Sequence, residues 1–132
     1  MRPALAIRVV RLGSPRAPGE GLRLGTVRRP PRGVPKAEHA SRDFYDVWLP
    51  DLAPSESLLK ETLHSADERA WPRFVRRYRA EMKRPEATRL LALLAALSHR
   101  TDLAVGCYCA NETRCHRSVL KALLQEHGAD IA

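Results

Sequence analysis

The chain has 132 residues, 44% hydrophobic with few aromatics, which fits one compact domain over residues 1–132 with a core of its own. No run approaches the roughly 18 apolar residues of a membrane span, and Met1-Arg-Pro-Ala-Leu-Ala-Ile-Arg lacks the apolar stretch of a secretory signal, so a cytoplasmic protein with no membrane partner is expected. The net charge of +8 sits in the first quarter, where residues 1–36 hold nine bases against Glu20 alone while the remainder balances at fourteen of each sign; this points to an anionic partner, or to an arginine-rich composition at large.

Residues 4–12 are short and β-branched at Ile7, Val9 and Val10, and run into Gly13-Ser-Pro, a strand leaving into a turn. Leu22-Arg-Leu-Gly-Thr-Val-Arg28 alternates Leu22, Leu24 and Thr26 with polar or small residues and predicts a second strand, paired with the first as a hairpin or a sheet neighbour. Arg29-Pro-Pro-Arg-Gly-Val-Pro35 cannot be helical, because its prolines lack amide donors and bias the residues before them to extended backbone. Arg28, Arg29 and Arg32 beside Gly33 make either an anion clamp or a solvated basic turn. Asp43-Phe-Tyr-Asp-Val-Trp-Leu-Pro50 is a third strand candidate, with Tyr45 and Trp48 suited to burying a ring while bonding a polar tip. Within it, Asp46 is either a base with a perturbed pKa or the partner of a nearby arginine.

Ser55 or Ser57 caps a short helix through Leu58, Leu59 and Leu63. A second helix starts at Trp71-Pro72, with Trp71, Phe74, Val75, Tyr78 and Met82 on one side and Arg73, Arg76, Arg77 and Arg84 facing solvent. Pro85-Glu86 opens a third, striped with Leu90, Leu91, Leu93, Leu94 and Leu97. Leu103 to Cys109 reads as an inner strand, followed by a loop and a last helix that buries Val119, Leu120, Leu123 and Leu124 and stops at Gly128. The fold class expected is α/β, a small, mainly parallel sheet with helices packed around it.

All three cysteines fall between that strand and that helix, in Cys107-Tyr-Cys109-Ala-Asn-Glu-Thr-Arg-Cys115-His116-Arg117. An odd count with two cysteines one residue apart argues for reduced thiols. In one reading the loop amides, Arg114, Arg117 and the positive helix end hold an anion, a nucleotide or nucleic acid, with Arg29, Arg32, Asp46 and His116 lining the same crevice. In a second, Cys109 or Cys115 is a thiolate nucleophile with His116 as acid and base. A phosphatase-type loop is excluded, since six residues beyond Cys107, Cys109 and Cys115 stand Thr113, Cys115 and Lys121 rather than arginine. In a third, Cys107, Cys109, Cys115 and His116 form a metal or redox module, although the one-residue gap and the adjacent Cys-His match zinc knuckles poorly. The plain structural alternative keeps Cys107, Cys115 and His116 as packing. Cys109 is expected to be alkylated first, Cys115 second and Cys107, one step deeper on the same strand face, last. The residues specify neither a cofactor nor an oligomeric state.

Arg29-Pro-Pro-Arg-Gly, Tyr45-Asp-Val-Trp-Leu-Pro-Asp-Leu-Ala-Pro-Ser55, Trp71-Pro-Arg-Phe-Val-Arg-Arg-Tyr78 with Glu81-Met82, and Cys109 with Cys115-His116-Arg117 appear in this order. Together they resemble the domain of unknown function 488 family, in a subgroup with a Cys-x5-Cys-His-Arg loop, from Ile7 to Leu124. The resemblance implies a compact α/β fold and a site where the arginine-glycine loop meets the cysteine-histidine-arginine loop, weighted toward Arg29, Arg32, Asp46 and Arg117. It implies no particular activity.

Overall fold

The computed structural model describes residues 5–63, 68–109 and 115–132. Strands β1 (Ile7–Arg11), β2 (Leu22–Gly25), β3 (Val47–Trp48) and β4 (Leu103–Cys107) form one sheet, and helices α1 (Glu56–Leu63), α2 (Ala70–Glu81), α3 (Pro85–Leu97) and α4 (His116–Glu126) pack around it. Every pairing is parallel, in the order β1-β4-β2-β3. The expected class, a small parallel sheet in a single compact α/β domain, is the one observed.

The first two strands are not neighbours. Leu103 pairs with Ile7 on one side and with Leu22 on the other, so β4 separates them. The physical reason lies in what a parallel strand must tolerate, which is burial on both faces. Leu-Ala-Val-Gly-Cys of β4 is buried at every position, whereas β1 and β2 each carry arginine. Gly106 fits the inner place, since a Cβ there would stand 2.6 Å from the Val10 carbonyl oxygen. The outer edge of β1 is bonded by the chain end, with the Ile7 N–H donating to the Asp130 carbonyl at 2.8 Å and the Ala132 N–H to the Ile7 carbonyl at 2.9 Å.

All four strands are shorter than their sequence patterns: the first runs Ile7–Arg11 rather than over 4–12, and the inner strand stops at Cys107, leaving Cys109 beyond its end. The second ends at Gly25; Leu24 and Thr26 are buried as the alternation predicts, but Leu22 is exposed and Arg23 is buried, against it. The third shrinks to Val47–Trp48, because Asp43 takes a left-handed turn (φ 61°) and Tyr45 folds across Gly25. Trp48 bonds its indole N–H to the Val27 carbonyl at 2.7 Å as expected, but the buried Tyr45 hydroxyl has no partner among the described residues.

The helices match their periodicity. Phe74 and Tyr78 of α2 with Met82 just past its end, Ala87, Leu91 and Leu94 of α3, and Val119, Leu120 and Leu124 of α4 meet Ile7, Leu103 and Val105 of the sheet in the main core. Leu93, expected in the α3 stripe, faces solvent. Tyr78 closes the core's polar accounts: its hydroxyl donates to the Leu52 carbonyl at 2.6 Å. A second, smaller cluster of Leu12, Val27, Tyr45, Cys107 and Cys115 lies at the carboxyl end of the sheet, and its Val27 and Cys107 border the candidate site.

Candidate functional site

At the carboxyl ends of β2 and β4 the sheet opens into a crevice of about 300 Å³. Val27, Pro54, Leu59 and Tyr108 supply apolar walls, Arg28, Arg29, Lys60 and Glu56 supply charge, and Cys107, Cys109 and His116 come from the β4–α4 segment. This is where the strand ends of an open parallel sheet leave room for ligands.

Hydrogen bonds tie the two halves of the crevice together. The Tyr108 hydroxyl donates to the Arg29 carbonyl at 2.9 Å, and His116 Nε2 lies 2.7 Å from the Thr26 carbonyl. A carbonyl can only accept, so the neutral His116 ring carries its proton on Nε2 and leaves the Nδ1 lone pair free. That Nδ1 is 3.8 Å from Cys115 Sγ. Burial holds the His116 pKa below its ordinary value. The arginine-glycine loop and the cysteine-histidine loop therefore meet, through backbone carbonyls at 26 and 29.

The three cysteines converge. Their sulfurs all lie within 4.8 Å of one another, with Cys107 and Cys115 buried and Cys109 exposed. Cys107 is fixed by the inner strand and Cys115 by its extended position just before α4, while Cys109 lies two residues past the end of β4. Hydrogen bonds from the Cys107 and Cys115 thiols, which outweigh burial, together with the nearby charge of Arg117, hold the Cys109 thiol well below its usual range. Cys107 is pushed up by its bonds to Cys109 and Cys115 and by burial. Cys115 is pushed up to about 11: its bond from Cys107 acts the other way, but the bond to Cys109 and burial outweigh it. Arg117 is 5% exposed, and its Nε has no hydrogen-bond partner among the described residues.

Other residues singled out by the sequence have different fates. Arg29 lines the crevice and pairs with Glu56. Arg32 belongs to an adjoining hollow with Arg29, Phe44 and Tyr108. Gly33 borders neither, and its φ of 69° serves the turn. Asp46 faces another hollow, beside His39, Tyr45 and Trp48; it accepts two bonds from the Arg16 guanidinium at 2.8 and 3.1 Å and one from the Arg23 amide. Burial works against its charge, but those donors outweigh it and lower its pKa. Arg114 lies outside the described residues.

Lys60, Leu59, Pro54, Val27 and the Thr26 carbonyl were not legible as site groups. Lys60 and Leu59 sit on α1, about fifty residues before the cysteines, and nothing local signals that α1 borders the end of β4. A carbonyl has no sequence signature at all.

Among the described residues no helix is long and apolar enough to cross a membrane. A family model described as the active DUF488-N3 subclade matches residues 7–128. No curated protein and no solved structure matches the chain.

Proposed function

The chain belongs to the active DUF488-N3 subclade, and from that premise we propose that it binds a nucleotide-sized anionic ligand in the crevice at the ends of β2 and β4. The observation that carries the reading is the pairing of apolar walls with a basic rim. Val27, Pro54, Leu59 and Tyr108 offer a ring-bearing ligand a dry face, while Arg29 and Lys60 stand where its phosphate would lie. Arg28 is less available, because its guanidinium already donates to the carbonyls of Ala53 and Pro54 at 3.1 Å each, and Arg29 has to exchange its pairing with Glu56 for the phosphate. A crevice of about 300 Å³ suits one nucleotide rather than a polymer, which would have to run on through the hollow at Arg32.

Calorimetric titration with nucleoside mono-, di- and triphosphates and with short single and double strands, at low salt, tests this. A mononucleotide should bind at one site per chain. Lys60→Ala and Arg29→Ala should each weaken it roughly tenfold, about 1.4 kcal/mol. Tight binding of strands alone, with a salt slope near −0.9 per duplex phosphate contact, would replace the nucleotide with a polynucleotide. No binding by any of the panel removes the reading.

A further inference from the structure

We propose that Cys107, Cys109 and Cys115 together bind one divalent thiophilic metal ion of the zinc class as a three-thiolate centre. This assignment does not depend on the nucleotide reading and survives its failure.

Distance decides between the chemistries open to three clustered thiols. Sulfurs bonded at about 2.3 Å to one tetrahedral ion stand roughly 3.8 Å from each other, whereas a disulfide needs about 2.05 Å. The observed limit of 4.8 Å on every sulfur–sulfur separation leaves at most about 1 Å of tightening for metal and well over twice that for a disulfide at that limit. The sequence pattern argues against metal only when the cysteines are read as paired knuckles. In the fold they come instead from a strand, the segment just past its end and the residue before a helix, so the spacing rule for knuckles does not govern them.

The surroundings fit a resident ion. Cys107 and Cys115 are 1% and 2% exposed, and Cys109 opens on the crevice, which provides an entry path. Loading exchanges three thiol protons for one dication, M²⁺ + 3 RSH → M(SR)₃⁻ + 3 H⁺, and leaves one negative charge. Arg117, buried and with its Nε unpartnered among the described residues, supplies the compensating positive charge nearby. A monovalent ion on the same three thiolates would leave two negative charges beside one guanidinium, so a dication fits better. His116 stands next to Cys115 in the tautomer that ligating histidines adopt, with Nε2–H bonded to a backbone carbonyl and Nδ1 free. Its nitrogens fall outside the mutual sulfur set, so the fourth coordination position is left to water or to a donor atom from the crevice.

Cobalt(II) titration of reduced, chelator-stripped full-length protein is the test. One equivalent should give intense thiolate-to-cobalt charge-transfer absorption and tetrahedral visible bands, and one equivalent of zinc should abolish them. Cys109→Ser, at an exposed position, should retain the circular dichroism of the parent and lose cobalt affinity by about a hundredfold or more, beyond the loss typical of an outer-shell change. Zinc should also protect Cys109 from iodoacetamide. No charge-transfer band at one equivalent, a band unchanged in Cys109→Ser, or alkylation at the same rate with and without zinc overturns the assignment. Nucleotide calorimetry on the stripped protein reads the other proposal separately.

Discussion

Arg23 shows how little a residue's charge says about its role. It is fully buried, its guanidinium forks onto Glu20 with two bonds of 2.9 Å, and its remaining nitrogen donates to the carbonyls of Ser14 and Asp43 at 2.8 and 2.7 Å. Four of its five N–H donors are used, which is what allows the pair to be buried at all. Arg16 is likewise held by Asp43 and Asp46, so much of the basic first quarter is internal wiring rather than a binding surface. Arg23→Met should destabilise the fold by about 3–5 kcal/mol in urea denaturation, because Glu20 is left buried with no opposite charge and only the Ala17 amide as donor. Adding Glu20→Leu should restore a substantial part of that loss; a double variant no better than the single one would show that the two backbone carbonyls, not the charge pair, carry the cost.

At the scale of elements, the sheet's carboxyl end is shaped by what is missing from it. A Cβ at Gly25 would lie 2.3 Å from the Tyr45 ring, and Tyr45 in turn packs in the cluster with Cys107 and Cys115. Gly25→Ala should therefore cost about 1–3 kcal/mol by overpacking and displace the ring that covers the cysteines. Thermal unfolding measures the first effect. The second should appear as faster alkylation of Cys107, which is otherwise the most sheltered thiol by burial; unchanged Cys107 protection would mean that α4 rather than Tyr45 shields it. The expected order of reactivity, Cys109 before Cys115 before Cys107, agrees with their exposure and awaits timed alkylation. Helix α4 begins directly after Cys115 and places His116 and Arg117 in its first turn, both buried, so one helix start delivers an imidazole to the crevice and sets a sulfur and a guanidinium in the interior behind it.

At the scale of the whole molecule, acid should loosen the region around Arg16 and Arg23. Glu20 and Asp46 both have depressed pKa values. Burial opposes the shift in each, and hydrogen bonds from Arg23 and the Ala17 amide to Glu20, and from Arg16 and the Arg23 amide to Asp46, outweigh it. The unfolded chain then binds protons at a higher pH than the folded one. Stability from this source is complete above the ordinary carboxylate values of 4.5 and 3.8 and is lost as pH falls through the lower folded values. Urea midpoints should fall in two stages, first below about pH 6.5, where the unfolded chain protonates the imidazole that burial disfavours charging at His116, and again below about pH 4, and Asp46→Asn should flatten only the second; a midpoint level down to about pH 5 would show that His116 protonates in the fold without cost. What the sequence determined by itself was whatever is written in short-range pattern: four helices, because 3.6-residue periodicity and prolines at helix starts are local; the inner strand, because Leu103 to Cys107 is a short uncharged apolar run that breaks into a turn; and the density of chemistry from Cys107 to Arg117. Tertiary structure alone decided that β4 lies between β1 and β2, that Arg23 turns inward while Leu22 turns out, that Lys60 and Leu59 border the cysteines, and that a thiol on a strand meets one before a helix. Those facts depend on pairing between segments up to a hundred residues apart, and such pairing is set by which buried groups can satisfy one another, a property no single segment carries.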